Sequence, residues 1–374
     1  MADPTIQSFC CHHRNHSDFA FRLMNEFHRE PYLIISMISS SIGMLGSIYQ
    51  IFIRKEEIVE SPRRSMGRKI IVALAYSDLL ASLGIFIRSA LWCFMKEIMP
   101  LDDDSVSVIF CSVTSAMIQV FYTATWLWTL IYAYNMKRSL TNQSMREKNF
   151  HVFVWSISIL FTAIGTSSLY FPDADCHDIH DLGTALLRVM PNYLLNYGTI
   201  LVVMIVNPIL YIKCSKEVDR QLIQRYGEYT NNERQIHDMF KIKFSLINLI
   251  FYICWLPNIV NAILMWTMWF HLPAKVIVIT WYIMAVLNPL QAFFNVLVYR
   301  KWNNKIQFFC SFKEYLIRKF RNENIVDAHS SSQDEISPLL HNNPISSTYT
   351  FSRNNSQRNA DDNFRRFSIQ CPCV

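Results

Sequence analysis

Apolar residues along the chain fall into long blocks, without the two-residue rhythm of strands or the 3.6-residue rhythm of surface helices. Seven blocks are long enough to cross a bilayer as helices: Pro31–Ile53, Ile70–Cys93, Val106–Met136, Phe150–Phe171, Pro191–Ile212, Phe244–Trp269 and Val276–Tyr299. Each exceeds the ~20 residues that a spanning helix needs. The alternating segments of ~10 residues that mark a membrane barrel are absent. No inverted repeat relates early blocks to late ones, which counts against a transporter of two related halves. The pattern predicts an all-α membrane protein, a seven-transmembrane helix bundle.

Beyond Tyr299 the rhythm changes. In "KWNNKIQFFCSFKEYLIRKF", Trp302, Ile306, Phe309, Phe312, Leu316 and Phe320 recur at helical spacing among basic residues. That predicts an amphipathic eighth helix lying on the membrane surface. Cys310 within it is either a palmitoylation site or a buried thiol. Residues from Arg321 to Val374, rich in Ser, Asn and charge, are expected to be disordered. The expected organisation is an N-terminal segment 1–30, a helix bundle 31–300, an amphipathic helix 301–320 and a tail 321–374.

Composition agrees with lipid as the solvent. The 374 residues are 51% hydrophobic and 17% charged, against about a quarter charged in average proteins. Lysine and arginine are concentrated in alternate connections, and this pattern sets orientation. Arg54, Lys55, Arg63, Arg64, Arg68 and Lys69 follow the first block, whereas the connection after the second holds only Lys96. Lys137, Arg138, Arg146 and Lys148 follow the third block, and Arg188 alone separates the fourth from the fifth. The C-terminus is therefore expected in the cytosol and the N-terminus in the lumen or outside. The net charge of +6 reflects this topology and gives no support to a nucleic-acid partner. Met1–Glu30 lacks the apolar core of a signal peptide, so the first span would act as the insertion signal. Asn15-His16-Ser17 is a glycosylation acceptor on the luminal side.

Of the ten cysteines, Cys10, Cys11, Cys93, Cys111 and Cys176 lie on or near the luminal side. A bridge between Cys111 and Cys176 would pin the loop "FPDADCHDIH" over the mouth of the bundle, in a compartment that permits it. Two free thiols are the alternative. Five is odd, so at least one of these thiols is free or intermolecular.

Three prolines interrupt apolar blocks, each beside an asparagine: Pro208 after Asn207, Pro257 before Asn258 and Pro289 after Asn288. A proline removes one helical hydrogen bond, and a membrane helix tolerates it when neighbours satisfy the freed carbonyl. Pro257 also follows Trp255. Such kinks fit either a switching bundle or plain packing. The second block, "LAYSDLLASLGIFIRSALW", carries Asp78 near mid-membrane and Arg88 ten residues later, about 15 Å along the helix. A charge at that depth costs about 2.5–3.5 kcal/mol on insertion scales and usually faces the interior. A polar partner such as Asn288, with a cation or a proton, would account for Asp78. Arg88 would either snorkel to the surface or meet an anionic ligand group. His151, near the cytosolic end of the fourth block, reads as interfacial.

The seventh block holds no lysine for a retinal Schiff base. No zinc-protease H-E-x-x-H, P-loop or G-x-S-x-G occurs, and neither a catalytic site, a metal site nor a cofactor is expected. Two classes remain: a ligand-gated receptor, and a transporter or channel with Asp78 and Arg88 along a permeation path.

Seven spans with Cys111, Cys176, the run Cys254-Trp255-Leu256-Pro257 and Asn288-Pro289 resemble G-protein-coupled receptors. The stretches "SFCC", "SDLLASLGIFIRSALW", "SAMIQVFY", "NPILY", "YTNNERQIHDMFKIKF", "CWLPNIVN" and "TWYIMAVLNPLQAFF" resemble the ocular albinism type 1 receptor family over about Ala2–Trp302. The resemblance implies an endolysosomal or melanosomal receptor for tyrosine-derived molecules (L-DOPA, dopamine, tyrosine), signalling through heterotrimeric G proteins, with a role in pigment-organelle biogenesis. The chain departs from the common receptor pattern in two places. The third block ends "YAYNMKRSL" without Asp-Arg-Tyr, and "SSSIGMLGS" in the first lacks the usual Gly-Asn pair. Asn135, Lys137 and Arg138 are where G-protein contact would be sought instead.

By position, a ligand pocket would draw on Gln119 and Tyr122, on Asn192, Tyr193 and Asn196, on Trp255 and Asn258, and on Trp281 and Tyr282. Arg88 would take a carboxylate and the aromatics would take a ring and an ammonium; packing aromatics are the alternative. Asp78, Trp255, Pro257, Asn288 and Pro289 would form the switch network. In the tail, Glu335 precedes Leu339-Leu340 by four places, an acidic dileucine signal for clathrin adaptors. Leu222-Ile223 is a second, weaker signal where the resemblance suggests one. Ser and Thr in the tail would permit kinase and arrestin regulation.

Overall fold

Lipid offers no water to backbone N–H and C=O groups, so each apolar block must bond them internally, and a helix does so within one segment. The computed structural model describes residues 27–60, 65–94, 105–140, 147–170, 182–224, 231–267 and 274–299. Among these are seven α-helices and no strand: α1 Arg29–Glu60, α2 Ser65–Phe94, α3 Ser105–Leu140, α4 Glu147–Tyr170, α5 Leu182–Gln224, α6 Asn231–Thr267 and α7 Ala274–Tyr299. Each contains a segment long and apolar enough to cross a membrane. By backbone proximity the chain divides into a unit of residues 1–300 with 372–374 and a second of 301–371. The second, with the expected amphipathic helix and tail, lies outside the described residues.

Several helices outrun the sequence expectation, α5 and α6 furthest. α5 has 43 residues and rises about 65 Å, twice the ~30 Å hydrocarbon thickness. α6 starts at Asn231 rather than Phe244. Hydropathy marks where lipid ends, whereas a helix ends only where its backbone bonding stops. Polar pairs support the extension. Arg220 donates from Nε to Glu217 Oε2 at 3.0 Å and from Nη2 to Oε1 at 2.7 Å, one turn apart. Lys241 on α6 pairs with Asp219 on α5.

Three apolar clusters stack along the bundle. At one end Tyr32 and Leu33 meet Trp92, Cys111, Ile277 and Trp281. In the middle Tyr122, Trp126, Tyr197, Phe251 and Trp255 pack together. At the other end Ile70, Met136, Phe150, Leu210 and Phe244 meet. The starts of some helices thus meet the ends of others, so successive helices alternate in direction. The two ends are called below the Cys111 end and the Phe244 end.

The surface is apolar: Leu45 is 68% exposed, Phe52 66% and Leu194 68%. Ser36, Ser39, Ser40, Ser77 and Ser82 are buried. This inversion is what lipid demands.

Small residues set the closest contact. A Cβ on Gly43 would lie 2.3 Å from the Pro289 carbonyl oxygen, and one on Gly46 would lie 2.8 Å from Phe293 Cα. Glycine is therefore required for α1 to seat against α7.

Two of the prolines are answered by neighbours. Pro208 frees the carbonyl of Met204, four residues earlier, and Tyr252 Oη on α6 donates to that oxygen at 2.6 Å. Pro289 frees the carbonyl of Ala285, and Ser39 Oγ on α1 donates to it at 2.7 Å. Pro191, expected to open a span, lies inside α5 because that helix begins at Leu182.

Candidate functional site

The middle of the bundle is organised around Trp255, which is fully buried. Its ring meets Tyr122 edge-on with centroids 5.1 Å apart and Trp126 edge-on at 4.9 Å. Its Nε1 donates to Gln291 Oε1 at 2.5 Å. One side chain therefore joins α3, α6 and α7 two residues before Pro257. Pro289, two residues before Gln291, interrupts the partner helix.

Asp78 on α2 lies at the same level and is 4% exposed. Thr125 Oγ1 on α3 donates to its Oδ1 at 2.9 Å, and Asn295 Nδ2 on α7 donates to its Oδ2 at 3.4 Å. The expected partner, Asn288, is not the one used: Asn288 is buried, and neither polar atom of its amide has a hydrogen-bond partner. Asn295 lies seven residues beyond Asn288, two turns along nearly the same face, and it reaches the carboxylate instead. The sequence reading missed Thr125, Gln291 and Asn295. The signal for the α7 pair was present: Asn288, Gln291 and Asn295 form a polar stripe at i, i+3 and i+7 in an otherwise apolar helix.

Arg88 does not snorkel; it is 2% exposed. Its Nη1 donates to Ser115 Oγ on α3 at 3.1 Å, and its guanidinium carbon lies 5.1 Å from the centre of the Trp92 ring. The ionisable side chains that act on it electrostatically are the phenols of Tyr32, Tyr122 and Tyr170, from α1, α3 and α4.

The expected pocket residues separate into groups. Gln119 Nε2 donates to Asn192 Oδ1 at 3.4 Å, and Asn196 Nδ2 donates to the same oxygen at 2.9 Å. A Cβ on Gly165 of α4 would come within 2.6 Å of that oxygen. These three amides thus knot α3 to α5 where α4 passes closest. Tyr193 stacks obliquely on Tyr197 with centroids 5.3 Å apart. Asn258 is fully buried, and neither atom of its amide has a partner.

Trp281 and Tyr282 sit at the Cys111 end, around Phe27. That ring lies 5.0 Å from Tyr32, 5.4 Å from Trp281 and 6.1 Å from Tyr282. Tyr282 Oη donates to the His28 carbonyl at 2.6 Å.

At the Phe244 end Arg138 folds back on its own helix, its Nη1 donating to Tyr134 Oη at 2.8 Å. His151 is half-buried, edge-on to Trp128 with centroids 4.8 Å apart. Cys93, Cys214 and Cys254 are free thiols, whereas Cys111 is disulfide-bonded. Cys176, Asn15, Cys310, Glu335, Leu339 and Leu340 lie outside the described residues. Leu222 and Ile223 fall in the last turn of α5, and their side chains lie outside the described residues. Among the described residues no group of His, Cys, Asp and Glu side chains is arranged to hold a metal ion.

Seven membrane helices around a buried tryptophan hub, with prolines inside α5, α6 and α7, have the architecture of a G-protein-coupled receptor, and the relatives place the chain in that class. The family model described as "Ocular albinism type 1 protein" matches residues 1–362, and the chain belongs to that family. It is 28% identical over 372 residues to the G-protein coupled receptor 143 of Homo sapiens, covering 92% of this chain and 87% of the relative. A second relative, the ascaroside receptor GPR3 of Arthrobotrys oligospora, is 27% identical over 190 residues, covering 47% of this chain and 44% of that protein.

Proposed function

We propose that the protein is a receptor of melanosomal, lysosomal or late-endosomal membranes, with the plasma membrane as the alternative location, and that tyrosine-derived small molecules (L-DOPA, dopamine, tyrosine) shift it between two packings. Its Cys111 end faces the lumen or exterior and its Phe244 end faces heterotrimeric G proteins. The Trp255 hub carries this reading. A ligand that displaces the indole, at its contact with Tyr122, strains both its edge-on aromatic contacts and its bond to Gln291. Motion then passes to α6 and α7, each hinged by its own proline. A ligand shifts such an equilibrium only by its differential affinity for the two packings.

The family resemblance supports the organelle and the role in pigment-organelle biogenesis. The Cys111–Cys176 bridge, glycosylation at Asn15, palmitoylation at Cys310, adaptor capture at Glu335, Leu339 and Leu340 with Leu222-Ile223, and arrestin binding to the tail belong to the same reading.

The test is nucleotide exchange on purified G protein with the reconstituted receptor, over a panel of catechol amino acids and amines. Agonist-dependent acceleration is expected, and Gln291→Leu should change the basal rate severalfold. No acceleration with any G-protein class, together with substrate movement into vesicles lacking G protein, would establish a transporter instead.

A further inference from the structure

We infer that Arg88, with Tyr122 and Ser115, forms a binding site for a single negative charge: the carboxylate of a small aromatic acid or a halide ion. The inference deepens the receptor reading by naming the ligand chemistry, but binding at the site does not require that reading.

The guanidinium is buried, and among the described residues none of the side chains acting on it is a carboxylate. The one carboxylate lower on the same helix, Asp78, already accepts from Thr125 and Asn295. Several polar groups near Arg88 are also left without partners. Its Nε–H has no acceptor, the Tyr122 hydroxyl has no partner, and the Trp92 indole N–H, one turn further along α2, has none either. The first two belong to residues that act on each other electrostatically. An orphaned guanidinium N–H on a positive charge that no described carboxylate meets, with unpartnered hydroxyl and indole groups on residues that act on or stack with it, is suited to an anionic acceptor. A buried polar group is normally bonded, and a buried charge is normally paired. One guanidinium neutralises one negative charge, so the fitting occupant brings a single small or planar anionic group. Its planar fork suits a carboxylate held in two bonds, and a spherical halide would meet the same donors. An amine without an acid group offers the guanidinium no counter-charge, so dopamine and tyramine would bind without this contact.

Melting of the purified full-length protein tests this without any G protein, so its outcome is separate from that of nucleotide exchange. The protein is melted in sodium chloride and in sodium isethionate, a larger organic monoanion, at equal ionic strength. Each salt is tested with L-tyrosine, L-tyrosine methyl ester or tyramine. Chloride is expected to raise the melting temperature over isethionate. L-Tyrosine should stabilise where the ester and tyramine do not, and chloride should compete with it. Stabilisation by chloride without competition from L-tyrosine assigns the site to a halide, and stabilisation by L-tyrosine alone assigns it to a ligand carboxylate. Arg88→Gln should abolish both effects, the difference from wild type cancelling general salt effects. Arg88→Lys should weaken the acid by about ten- to a hundredfold, the worth of a charge-assisted contact. Where Arg88→Gln does not fold, Tyr122→Phe serves, since it deletes one hydroxyl and keeps the ring; the anion's apparent affinity should drop severalfold. Indifference of the wild type to chloride and to L-tyrosine, or undiminished anion stabilisation in the variants, overturns the inference.

Discussion

Asp78 and Arg88 stand ten residues apart on one helix, and both are buried charges in a protein core surrounded by lipid. Their surroundings differ. Asp78 is met by a threonine hydroxyl from α3 and an asparagine amide from α7, so its demand is met within the fold and three helices are tied together. Arg88 has one hydroxyl acceptor and a ring face, and among the described residues its Nε–H has no acceptor. A buried ionisable group whose hydrogen bonds the fold supplies organises structure; one left with unmet donors is a place for something to bind.

The largest expected effect separates the two directly. Asp78→Leu removes the acceptor of two buried donors, each worth about 1–3 kcal/mol when left unsatisfied, and should lower the melting temperature markedly. Arg88→Leu removes an uncompensated charge whose burial costs several kcal/mol, and should leave stability unchanged or raised when no anion is supplied. Equal losses at the two positions would erase the distinction.

A smaller effect calibrates it with neutral groups. Ser39→Ala leaves the carbonyl freed by Pro289 without its donor, and Tyr252→Phe does the same for the carbonyl freed by Pro208. Each should cost about 1–3 kcal/mol in thermal or denaturant unfolding. In a Pro289→Ala background, where residue 289 regains its N–H, Ser39→Ala should lose most of its effect. A double-mutant cycle showing no coupling would sever the proline from its donor.

The smallest effect sets the floor. Lys241 and Asp219 form an ion pair whose side chains are 22% and 49% exposed. Lys241→Ala should change stability by less than about 1 kcal/mol, and salt should shrink even that.

Much of this was legible in the order of residues. The seven spans follow from block length, because the hydrocarbon thickness fixes how many apolar residues a crossing helix requires. Asp78, Arg88, Trp255 and Pro257 stand out because polar or helix-breaking residues inside such blocks are costly and need a reason. The partners were harder to read. Asn288 is one polar residue that could meet Asp78, while Asn295 lies further down the same stripe and reaches it. Gln291 went unnoticed because a lone glutamine in an apolar helix does not say which helix it faces. The extents of α5 and α6 were underestimated because hydropathy sees lipid and not backbone bonding.

The sequence alone determined that the chain lives in a bilayer, how many times it crosses, and which residues are too costly to be there by accident. These are properties of transfer between water and lipid, which each segment expresses by itself. Only the tertiary structure decided which charge is satisfied and which is not. That depends on the rotation of each helix about its own axis, and the rotation is fixed by contacts such as Gly43 on Pro289 between residues far apart in the chain.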